Sequence, residues 1–178
     1  MTDPDRSLWI ARLGYAGLAL VLLAAPLLPL STVPRPFATP DILLAVTLAW
    51  AARRPDTLPV AMVAATFLLA DFLFQRPPGL FAALVIVATE GLRRRSARLR
   101  RGPFLAEWVA VGVAMAVVLL GHRLGLAALM TPRAPLGLTL IQVIMTIAAY
   151  PIVALLAHVA LGLRRPAQGE VDTLGHRL

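Results

Sequence analysis

Apolar residues fall into six long runs, separated by short clusters rich in Arg, Pro and Asp. The runs cover 8–30, 37–52, 58–74, 79–92, 104–120 and 136–163. Uninterrupted apolar stretches of this length predict membrane-spanning helices. The expected fold is therefore an all-α polytopic membrane protein, a single domain of six helices over 1–163, with a polar, mobile tail at 164–178. Trp9 and Tyr15 near the first run and Trp50 at the end of the second suit membrane interfaces. Pro26 and Pro29 should kink or unwind the end of the first helix, because each removes a backbone donor. Pro40 suits the first turn of the second helix. The segment Gln75-Arg76-Pro77-Pro78-Gly79 leaves room only for a tight hairpin between the third and fourth helices. The fourth run is short. Its thirteen residues from Leu80 to Leu92 reach only about 20 Å, against a hydrocarbon core of roughly 30 Å. Pro151 falls in the middle of the sixth run.

Composition supports this pattern. Hydrophobic residues make up 59% of the 178 and charged residues only 15%, where a soluble domain carries roughly 25% charged. The net charge of +8 comes entirely from Arg, since the chain has no Lys. These Arg sit at the ends of the apolar runs, which argues for topology and against nucleic-acid binding. Counting alternate sides gives thirteen Arg on one and four on the other. The positive-inside rule then places both termini in the cytoplasm of a bacterial inner membrane. A re-entrant pair of third and fourth helices would preserve the same alternation. The first run exceeds a signal-peptide core, two acids precede it, and no Ala-x-Ala site follows, so it reads as a retained span.

Candidate chemistry is sparse. There is no Cys, and His122, His158 and His176 have no ligand spacing, so no metal or cofactor is expected. No nucleophile elbow, phosphate-binding loop or His-Glu-x-x-His motif is present, which predicts a non-enzyme. Charges within spans need a reason. Asp41, at the start of the second span, and Asp71, near the end of the third, lie at the level of Arg76. They either form a periplasm-facing pocket or act locally, Asp41 as a helix cap and Asp71 as a partner of Arg76. Asp71 is the stronger functional candidate, because it sits near the less favourable end of a helix. Glu90 is spaced to pair with Arg93 or Arg94. Glu107 occupies a first turn, and the two acids could alternatively form a proton-coupling pair. His158 suits an interhelical hydrogen bond and His122 an interfacial rim. Gly121-x-x-x-Gly125 fits close helix contact, as do Ala45 and Ala49. Arg93, Arg94, Arg95, Arg98, Arg100 and Arg101 are expected to form a cytoplasmic basic loop. That loop would anchor topology, attract anionic lipid or dock an acidic partner.

Several blocks together resemble the rod shape-determining MreD family: Pro40-Asp41-Ile42-Leu43-Leu44, Trp50-Ala51-Ala52-Arg53-Arg54-Pro55-Asp56, Ala70-Asp71-Phe72-Leu73-Phe74-Gln75-Arg76-Pro77-Pro78-Gly79-Leu80 and Thr89-Glu90-Gly91-Leu92-Arg93-Arg94-Arg95. The likeness is to alphaproteobacterial members and covers about Pro34 to Arg95. It implies a non-enzymatic scaffold of the elongation machinery that maintains rod cell shape and builds lateral peptidoglycan. The implied partners are MreC and, through it, MreB, RodA and its transpeptidase partner. The family also resembles the substrate-binding subunits of energy-coupling-factor transporters, which makes a small-molecule-binding transport subunit the alternative. The matching positions Asp41, Asp71, Arg76, Pro77, Pro78 and Glu90 carry no assigned catalytic role.

Overall fold

A computed structural model describes residues 4–28, 39–132 and 134–161. The expected tail at 164–178 and Arg35 lie outside the described residues. Among those described, six α-helices follow one another: α1 Pro4–Ala24, α2 Ile42–Arg53, α3 Val60–Leu73, α4 Leu80–Arg101, α5 Phe104–Ala128 and α6 Leu136–Leu161. The all-α expectation holds. Proline sets most of the boundaries. Pro59, Pro103 and Pro135 directly precede α3, α5 and α6, where a missing N–H costs nothing. Pro26 falls in a 3₁₀ turn, Ala25–Leu27, that replaces the last turn of α1. A second such turn, Pro55–Thr57, joins α2 to α3.

The α2 helix is the axis of the bundle. Every residue from Leu43 to Arg53 is buried, and α1, α4, α5 and α6 pack around it. An α-helix that is apolar on all sides belongs in an interior. Ala45, Ala49, Ala51 and Ala52 are small enough for neighbours to approach closely, and all are buried. The outer helices show the reverse of soluble amphipathy. On α5, Val111, Met115 and Val118 face inward, while Val109, Val113 and Val117 are exposed. On α6, Ile144, Ile152 and Leu155 are exposed as well. Apolar surface on this scale is a contact surface for lipid or protein. Three helical stretches are long and apolar enough to cross a membrane: Leu8–Leu27, Phe104–Ala128 and Leu136–Val159.

Two boundaries correct the sequence reading. The fourth helix does not stop at Leu92 but runs for 22 residues to Arg101, about 33 Å at the α-helical rise. Arg93, Arg94, Arg95, Arg98, Arg100 and Arg101 are therefore the last turns of α4, not a loop. Leu92, Ser96 and Leu99 form a buried stripe beneath them, and cations are favoured at a helix C-terminus. The short elements are instead α2, with 12 residues, and α3, with 14. Each reaches only about 18–21 Å. The fifth helix likewise continues through Gly121-His122-Arg123 to Ala128.

Glycine spacing explains how α4 meets α5. A Cβ on Gly121 would stand 3.3 Å from Leu84 Cδ2, and one on Gly125 2.8 Å from Leu80 Cδ1. The two glycines, one helical turn apart, thus receive two leucines one turn apart on α4. Pro151 leaves the carbonyl four residues earlier without its helical donor. That carbonyl, Ile147 O, accepts the Trp108 indole N–H at 2.9 Å, so a side chain from α5 repairs the gap in α6.

Candidate functional site

At the end of the bundle where α2, α4 and α6 begin, a partly enclosed cavity of about 180 Å³ opens between the helices. Its polar lining is Asp41, Arg76, His122, Arg123, Thr139 and Gln142. Phe81, Leu119 and Leu126 supply apolar wall. Each polar group is positioned by a local device. Asp41 is the N-cap of α2, and its Oδ1 accepts the Leu44 N–H at 2.9 Å, the usual task of an Asp at this position. Its own N–H donates to Thr146 Oγ1 at 3.0 Å, and the Thr146 hydroxyl donates to Gln142 O at 2.7 Å. The start of α2 is thereby tied to α6.

Arg76 sits in a turn whose geometry the backbone dictates. The α3 helix closes with Arg76 N–H bonded to Asp71 O at 2.8 Å and Gln75 N–H to Phe72 O at 3.2 Å. This is a Schellman ending, with Gln75 in the left-handed region at φ 52°. Pro77 and Pro78 carry the chain to Gly79, at φ 87°, and α4 starts at Leu80. The two prolines shape this turn. The Arg76 guanidinium lies over the Phe81 ring, 4.8 Å from its centroid, and over Phe74 at 5.3 Å. Such stacking holds an Arg in place while leaving its N–H edge available. His122 meets the Phe81 ring edge-on, with centroids 5.1 Å apart. Arg123 donates to Ala134 O and to Thr139 Oγ1, which ties the end of α5 to the approach and first turn of α6.

Asp71 is not part of the lining, and its expected pairing with Arg76 is absent among the described residues. The carboxylate is fully buried. Its Oδ2 accepts the Gly79 N–H at 3.0 Å and the Ala82 N–H at 3.4 Å, so it caps α4 from the last turn of α3. Its position near the C-terminus of α3, unfavourable when α3 is considered alone, is explained by the N-terminus of α4 beside it. Asp71 Oδ1 and His122 Nδ1 are buried and have no hydrogen-bond partner among the described residues. Of the residues expected to form one pocket, the structure brings Asp41 and Arg76 together and puts Asp71 behind them.

The opposite end of the bundle holds a different arrangement. Arg53, from the last turn of α2, donates through Nε to Glu107 Oε1 at 2.8 Å and through Nη1 to Ala154 O at 2.9 Å. Tyr150 donates to the same Glu107 oxygen at 2.6 Å. All three side chains are buried, so one network joins α2, α5 and α6. Trp50, one turn earlier, donates to Thr57 Oγ1 at 2.8 Å and packs edge-to-face on Tyr15 of α1 at 5.4 Å. Glu107 is thus an interhelical partner and more than a first-turn charge. Glu90 is spent locally, 3.6 Å from Arg93 and 3.7 Å from Arg94, as its spacing predicted. The two acids therefore engage different Arg residues. The Arg93 guanidinium also donates to Leu58 O, pinning α4 to the α2–α3 connection. His158 is exposed on α6, not turned toward another helix.

Among the described residues no cluster of His, Asp and Glu is placed to hold a metal ion. Thr139, Gln142, Thr146 and Tyr150, missed as a set, recur at helical spacing in an apolar span, and that spacing was the available signal. No protein-family model matches this sequence, and neither a curated protein nor a solved structure does.

Proposed function

We propose that the chain is a non-enzymatic inner-membrane scaffold of the MreD type, with six membrane-embedded helices and both termini cytoplasmic. One observation carries this reading: the residues of the resembling blocks hold the bundle together. Asp41 caps α2, Asp71 accepts from the start of α4, Gly79 is the N-cap residue of α4, Arg53 anchors α2 to α5 and α6, and Glu90 pairs with the Arg run. Residues used this way specify a rigid shape, which is what a scaffold offers its partners. Broad exposed apolar faces on α1, α5 and α6 give lipid and a membrane-anchored partner of the MreC kind surfaces to pack on. The exposed Arg94, Arg95 and Arg98 suit anionic headgroups, at about 1 kcal/mol each. Deletion in a rod-shaped bacterial host tests the reading. Cells should round up and lose lateral wall insertion, with rescue by the wild-type chain; unchanged shape and insertion would contradict it.

The cavity favours a second reading, a transport subunit that takes a small molecule at the outer end. In that case ATPase subunits and a coupling membrane protein would copurify with the chain.

A further inference from the structure

The described lining of the cavity carries more positive than negative charge. Arg76 and Arg123 both line the space, and Asp41 is the sole carboxylate among the described lining residues. One oxygen of Asp41 accepts from the α2 N-terminus, and Asp71, the next acid, lies outside the lining with one oxygen held by the start of α4. Arg76 makes no ion pair within 4 Å among the described residues; its guanidinium lies over aromatic faces and within the field of the Asp41 carboxylate. A guanidinium stacked on rings keeps its planar N–H fork for a bidentate anion. Thr139 and Gln142 add neutral donors from α6, which begins only a turn away and turns its positive end toward the same region. A space of about 180 Å³ exceeds several waters at roughly 30 Å³ each and accommodates one tetrahedral or carboxylate headgroup.

We infer that this cavity binds a single anionic group, a phosphate or carboxylate, between Arg76 and Arg123, with Thr139 and Gln142 completing its shell. The site stands under either reading of function. In a scaffold the group would belong to a lipid whose phosphate lies at this depth. In a transport subunit it would belong to a free small anion.

The test uses the purified full chain. One arm reconstitutes it in nanodiscs of phosphatidylglycerol or of phosphatidylcholine, and native mass spectrometry after transfer to detergent counts retained lipid. A second arm follows thermal unfolding in detergent as inorganic phosphate is added, against sodium chloride at equal ionic strength. Wild type should retain phosphatidylglycerol, and Arg76→Gln and Arg123→Gln should each weaken that retention about tenfold, the loss of one charge-assisted hydrogen bond. Arg54→Gln, half-buried at the end of α2 and outside the cavity lining, should behave as wild type. Arg76→Lys, which keeps the charge, should recover part of the retention. If Arg123→Gln fails to fold, because it also loses its bonds to Ala134 and Thr139, Arg76→Gln decides. Phosphate-specific stabilisation of wild type but not of Arg76→Gln, without retained lipid, would support the site and assign it to free anions. No retained lipid and no phosphate effect, or equal behaviour of wild type and Arg76→Gln, would overturn the inference. These readouts do not depend on whether deletion alters cell shape.

Discussion

The two ends of the bundle contain the same residue types and put them to different uses. At one end Arg53 and Glu107 meet directly, in a buried network that Tyr150 and the Ala154 carbonyl complete. At the other, the carboxylates Asp41 and Asp71 are drawn off to cap helix starts, and Arg76 and Arg123 are left facing a cavity. An Arg and an acid in a membrane protein are thus a structural staple when they satisfy each other. They become a candidate site when the backbone claims the acid first. Side-chain placement decides which happens: Asp41 and Asp71 accept from backbone N–H groups at the starts of α2 and α4, whereas Glu107, also in a first helical turn, is reached by Arg53 and Tyr150.

The largest expected effect is at the staple. Glu107→Ala strands a buried guanidinium and should cost about 3–5 kcal/mol, whereas replacing the pair together, Arg53→Met with Glu107→Leu, should restore much of the loss. Unfolding of the detergent-purified protein measures both, and a single variant as stable as wild type would break the contrast between the ends. At the cavity end the helices are held by close contact. Gly125→Val forces a side chain into Leu80 and should cost about 2 kcal/mol in the same assay; a neutral result would mean that Leu80 yields freely. The caps come next. Asp71→Ala should destabilise by about 1–3 kcal/mol, because it leaves buried N–H groups of α4 unanswered. Asp41→Ala, on a less buried cap, should cost only about 1 kcal/mol. The reverse ranking would show that Asp41 does more than cap. Smallest is Gln75→Gly, which relieves a left-handed residue and should stabilise by about 0.5 kcal/mol; destabilisation would mean that the Gln75 side chain makes contacts the turn depends on.

Much of this was legible in the apolar pattern. Helix type, helix order, the tight turn at 75–79 and the Glu90 pairing followed from run length, proline position and i, i+3 spacing. Charge pattern misled where packing overrode it. Six Arg looked like a loop, yet Leu92, Ser96 and Leu99 recur beneath them at helical spacing and keep α4 intact. Asp71 looked like the partner of Arg76 because they are neighbours in sequence; its actual partners are N–H groups eight and eleven residues on. The Arg53–Glu107 and Asp41–Thr146 contacts span 54 and 105 residues. Separations of that length carry no local signal, and only the folded arrangement reveals them.

Affinity purification of the tagged chain from native membranes after mild crosslinking, followed by mass spectrometry, tests the central claim most directly. The scaffold account predicts recovery of an MreC-type protein together with lateral wall synthases. Recovery of ATPase subunits and a coupling membrane protein instead, with no wall synthase, would contradict it.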